Sequence, residues 1–99
     1  MGTFTFNSAG GWATNGSNNI YKIGHICILH LTARNGNSKL IATISSGFRP
    51  KTGFWHHTAS YGADTNYILS FATNGQINIE YPTSNYSGNF FDIIVYPCD

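Results

Sequence analysis

A chain of 99 residues has room for one domain and one core, and at that size burial alone stabilises a fold only marginally. Five Lys+Arg against four Asp+Glu give a formal charge of +1, too little and too scattered to track a phosphate backbone, which argues against nucleic acid as a partner. No run of 18 apolar residues occurs, so no membrane insertion is expected.

Charged residues make up 9% and aromatic residues 15% of the chain, where an average soluble domain is roughly 25% charged. Asn, Ser, Thr and Gly fill the difference. Such a surface hydrogen-bonds without the cost of desolvating ions, and it suits subunit packing, sugar contact or both.

The N-terminus shows no basic region followed by an apolar one, so no secretory signal is read there. No segment has helical periodicity; apolar residues alternate or run in short blocks between Gly, Asn and Ser. Residues 11–15 and 18–23 read as short strands about Asn15-Gly16, and residues 1–16 can also be read as an N-terminal connecting arm. Residues 25–33 form the strongest strand, with Cys27, Leu29, Leu31 and Ala33 on one face and Ile26, Ile28, His30 and Thr32 on the other. Both faces are largely apolar, which predicts a central strand covered on both sides. Asn35-Gly36-Asn37 then turns the chain through residue types that tolerate positive φ.

A β-branched strand follows over 40–44, and Phe48-Arg49-Pro50 makes a loop or edge, since Pro50 cannot donate to a ladder. Residues 54–60 alternate Phe54, His56 and Thr58 against Trp55, His57 and Ala59. Strands over 67–72 and 76–81 flank Thr73-Asn74-Gly75, a hairpin signal. Residues 90–96 are a nearly continuous apolar closing strand. The expected fold is all-β, a single-domain antiparallel β-barrel or jelly-roll-like sandwich of about eight short strands spanning residues 1–99. Cys27 and Cys98 form neither a CxxC pair nor a disulfide framework. They read as free structural thiols, with a disulfide tying down the C-terminus as the alternative.

The residues do not assemble an enzyme. General acid–base work needs convergent groups, and Asp64, Glu80, Asp92 and Asp99 are the only acidic side chains; a glycosidase pair from Asp64 and Glu80 has no motif behind it. His56 and His57 point to opposite faces of their strand, as do His25 and His30. No metal site and no cofactor is therefore expected.

Sugar binding needs what the chain has in abundance: aromatic faces to stack on a pyranose, and amide, carboxylate or imidazole groups for its hydroxyls. The candidate residues are Trp55, His57, Tyr61, Asp64, Asn66 and Tyr86, with Trp12 and Tyr81 as secondary platforms. Alternation allows either Trp55 with His57 or Phe54 with His56 to face outward. A tryptophan in a β domain is more commonly core than platform, so Trp55 carries both readings. The sequons Asn15-Gly16-Ser17 and Asn85-Tyr86-Ser87 arise by chance in so Asn- and Ser-rich a chain.

The order Ile20-Tyr21-Lys22-Ile23-Gly24-His25-Ile26-Cys27-Ile28, a strand over 40–44, Gly47-Phe48-Arg49-Pro50, Asn74-Gly75-Gln76-Ile77-Asn78-Ile79 and a terminal apolar strand is similar to a known pattern. It resembles the C-terminal head domains of tail-fibre and baseplate receptor-binding proteins of phages of Gram-positive bacteria, over about residues 17–97. Ser45-Ser46 stands where that pattern usually has Leu-Pro. The resemblance implies a homotrimeric head at the distal tip of a virion tail, binding a host cell-wall polysaccharide or other glycan. It gives Phe48, Arg49 and Pro50 a structural role and carries over no binding residue. Assembly in a host cytoplasm would also account for the missing signal and the unframed cysteines.

Overall fold

The computed structural model describes residues 2, 4–14, 19–34, 36, 38–59, 66–81 and 90–98. Strands run at β1 (Phe4–Phe6), β2 (Ala13–Thr14), β3 (Ile20–Ile23), β4 (Ile26–Arg34) and β5 (Leu40–Ile44), then β6 (Phe54–Ala59), β7 (Asn66–Phe71), β8 (Gln76–Tyr81) and β9 (Phe90–Pro97). A single turn of 3-10 helix at Ser8–Gly10 is the one helical element among the described residues.

These strands make two antiparallel sheets. In the first, β4 is central, with β9 along one side from Ile26↔Pro97 to Ala33↔Phe90. Along its other side lie β3, from Ile23↔Ile26 to Ile20↔Leu29, and then β2, at Thr14↔Ala33 and Ala13↔Arg34. The second sheet has the order β1-β5-β8-β7-β6. The expected strands at 11–15 and 18–23 therefore do not pair with each other; both lie along one edge of β4. Residues 1–16, read as a connecting arm, contain β1, which pairs with β5, and Trp12, which is buried.

Period-2 alternation builds the core. Cys27, Leu29, Leu31 and Ala33 of β4, with Ile94 and Tyr96 of β9, face Ile41 and Ile44 of β5, Leu69 and Phe71 of β7, and Ile77 and Ile79 of β8. A register shift between Leu40 and Ala42 lets the adjacent residues Ile41 and Ala42 both be buried, as a bulge locally breaks the alternation. The molecule is a sandwich and not a closed barrel. Its seams are joined by a backbone pair between Gly2 and Ile20, by a bridge between Pro50 and Cys98, and by His56 Nε2 lying 2.7 Å from Asp92 Oδ2.

Two expectations need correcting. The free-thiol reading is overturned, because Cys27 and Cys98 form a disulfide with Cα atoms 6.1 Å apart, well within the reach of such a bond. The prediction that β4 is covered on both faces holds only in part. Its Cys27 face is buried; on the other face Thr32 is buried, Ile28 and His30 are half-buried and Ile26 is exposed. Nothing among the described residues forms a second layer there.

Turn chemistry explains several glycines. Gly24 (φ 60°) opens the two-residue β3–β4 hairpin loop and Gly75 (φ 91°) closes the β7–β8 turn, both backbone states that disfavour a Cβ. Gly36 is set by a contact. A Cβ there would collide with the indole of Trp12, whose Nε1 donates to the Ser38 carbonyl at 3.0 Å. Close packing by itself requires glycine at 36.

The Phe48-Arg49-Pro50 segment is held from several directions. Arg49 Nε donates to the Ile44 carbonyl at 2.9 Å and Tyr96 Oη donates to the Phe48 carbonyl at 2.6 Å. Burial pushes the Tyr96 phenol up to about 12. A folded-state value above the unfolded one makes its stabilising contribution complete below about pH 10 and lost progressively as pH rises toward about 12. Thermal midpoints measured from about pH 9 to about pH 11.5 should fall, and Tyr96→Phe should flatten that fall. An unchanged slope in Tyr96→Phe would contradict the assignment.

Candidate functional site

β6 is the edge strand of the second sheet, and its alternation decides which of its aromatics meet solvent. Phe54 turns inward and stacks on Phe71 with ring centroids 4.8 Å apart. His56 turns inward beside it, edge-on to Phe71 and paired with Asp92. Trp55, 69% exposed, and His57 consequently project from the outer face.

The ladder carries this face across to β7 and β8. Trp55 lies opposite Ser70, His57 opposite Ile68, and Ala59 opposite Asn66, so Trp55, His57 and Asn66 share the outer face. Ser70 Oγ donates to Glu80 Oε2 at 2.7 Å, and Lys39 Nζ stands 3.5 Å from Glu80 Oε1. Tyr81 is exposed opposite Ile68. The result is one tryptophan platform in a field of polar groups.

Beside Trp55 the surface dips into an open concavity of about 250 Å³, lined by Gly53, Phe54, Trp55, Ser70, Phe71 and Ala72. Small-molecule pockets that engulf a ligand run to about 300–1,000 Å³. A ligand here would rest against the indole with one face in water.

Three of the six predicted residues, Trp55, His57 and Asn66, are thus brought to one surface. Tyr61, Asp64 and Tyr86 lie outside the described residues, as do both sequons. Trp12 is withdrawn as a platform, because its ring is buried on Gly36. Sequence reasoning misses Ser70 and Lys39, and weighs Glu80 only as half of a glycosidase pair with Asp64. Their link to Trp55 depends on cross-strand register, and the signal that could have found them is the even-numbered run Ser70, Asn78, Glu80 flanking the Asn74-Gly75 turn. Among the described residues no cluster of three His, Cys, Asp or Glu side chains could hold a metal ion.

No protein family, curated protein or solved structure matches this chain.

Proposed function

We propose that this domain is a non-catalytic receptor-binding head, of the phage-tail kind its motif order resembles, and that the outer β6–β7 face takes a host-surface saccharide. The observation that carries the reading is Trp55, exposed on an edge strand beside a shallow concavity with His57 and Asn66 on the same face. A small domain that leaves an indole in water forgoes about 1.5–3 kcal/mol of burial, and sugar stacking is a use that repays this. The Ser70 hydroxyl across the ladder and the His57 imidazole two positions along β6 offer partners for sugar hydroxyls, with Asn66 farther along the same face. The Cys27–Cys98 disulfide removes the support that free thiols lent to assembly in a cytoplasm, and it suits work in an oxidising, extracellular setting. Sites this shallow bind weakly one by one, so the reading includes several copies, a homotrimer at the tip of a virion tail, acting by avidity.

Trp55→Ala is expected to weaken binding to purified Gram-positive cell-wall polysaccharide at least about 10-fold, with the thermal midpoint nearly unchanged because the ring is largely in solvent. Titration calorimetry reads the binding and scanning calorimetry the midpoint, each with the wild-type and variant domains. Undiminished binding by Trp55→Ala, or a wild-type domain that binds no such glycan, would remove the proposal. A second reading, a structural trimerisation or decoration knob with no ligand, draws support from the apolar outer face of the first sheet. A monomeric carbohydrate-binding module would keep the glycan and show the mass of one chain.

A further inference from the structure

The outer face of the first sheet is the least expected surface of the molecule. Cross-strand register sets its side chains in rows: Ile23, Ile26 and Pro97; then Tyr21, Ile28 and Val95; then His30 with Ile93; then Thr32 with Phe91. Phe91 is 73% exposed, Ile23 71% and Val95 61%, and Tyr21, Ile26 and Ile93 are each exposed by two-fifths or more. Arg34 stands at the far end of this face, which carries no acidic side chain among the described residues.

Area decides what such a face is for. These six side chains present roughly 700 Å² of accessible surface, beyond the ~300–600 Å² of the largest apolar patch on a typical monomer. The same figure is close to the ~800 Å² that each partner contributes to a standard-size stable interface. Two such faces together reach the total such an interface buries. The face is also chemically uniform, made of β-branched and aromatic residues without opposed charges. An apolar surface of this kind packs on further copies of itself, and the same face turned toward a threefold axis is shared by three chains. A lattice of charges selecting a different partner is absent among the described residues.

We propose that the outer face of β3, β4 and β9 is buried against a second copy of this chain, as the self-association surface of the domain. This deepens the multivalent reading above and rests on it for the presence of further copies. The saccharide face on β6–β7 lies on the opposite sheet and stays open when the copies join.

Sedimentation velocity on the intact domain, over roughly 1 to 200 µM protomer, tests the proposal. The wild type should sediment as two or more 10.8 kDa chains. Phe91→Lys with Val95→Lys should be monomeric, its dissociation constant raised at least about 100-fold, with its β-sheet circular dichroism retained. Ile93→Thr keeps a β-branched strand former and should weaken association by a smaller factor. Tyr81→Lys, on the other sheet, should associate as the wild type does. A wild type that stays monomeric at the highest concentration overturns the inference, as does association unchanged by the double lysine variant or abolished by Tyr81→Lys. A monomer that instead co-sediments with phosphatidylcholine vesicles assigns the face to lipid and overturns it too. The two readings fail separately. A monomer that still binds polysaccharide defeats the interface and keeps the saccharide site, while an assembly that binds no glycan does the reverse.

Discussion

Replacing Cys27 and Cys98 together by alanine is expected to lower the thermal midpoint by about 15–20 °C. The two residues are separated by 71 positions, so their bond closes most of the chain into a loop. In the chain-entropy view that removes about 4 kcal/mol worth of freedom from the unfolded state. For a domain whose whole stability is about 5–15 kcal/mol, this is a large share. The location adds to the effect. Both sulfurs are buried, and Cys98 lies beyond the last β9 pair, where its backbone N–H donates to the His25 carbonyl and it bridges to Pro50. Without the bond, the end of β9 is free to fray from β4. Melting with and without reductant, alongside a mass-spectrometric thiol count, reads the result. Two free thiols in the native wild type, with a midpoint equal to that of the double variant, would contradict it.

Phe71→Ala is expected to cost about 3–5 kcal/mol. The ring is almost wholly buried and stacks on Phe54, with His56 against its edge. Phe54 in turn lies near Tyr96, at 5.8 Å between centroids, so the cluster joins the second sheet to β9. Truncation leaves a cavity that the rigid sheets close only in part. Urea unfolding should show a lower midpoint at unchanged slope, the mark of lost stability without a changed unfolded state. A loss under about 1 kcal/mol would mean the site collapses freely, against the packing described. Trp55 lines the same concavity one strand over, yet its removal should leave stability nearly untouched. That contrast separates a core aromatic from a surface one within a few ångströms.

Particular residues show how far the chain was legible. The β7–β8 hairpin was readable because Thr73-Asn74-Gly75 sits between two alternating runs, and local turn chemistry decides such a unit. The pairing of β2 and β3 was not, since both are short and compete for the edge of β4, a choice made over distance. Asn35-Gly36-Asn37 reads as a turn from local residue types, with Asn35 and Asn37 outside the described residues; that Gly36 also lies against the Trp12 indole is a long-range contact with no local signal. For Trp55 and His57, alternation required that they share a face without saying whether that face was core or solvent. An edge position next to β7 and an inward Phe54–Phe71 stack decided it.

By itself, the sequence determined that the chain is an all-β single domain with short turns, little charge and aromatics to spare. Those properties are local or compositional, set by the period of two and by residue types that allow tight turns. The tertiary structure alone decided that Cys27 meets Cys98, that the sheets form a sandwich and not a barrel, and that Ile23, Ile26, Phe91, Ile93 and Val95 on the outer face of the first sheet are exposed. Each of these depends on which distant strands become neighbours, and a nearly continuous apolar strand reads the same whether its second face is covered from within the chain or not.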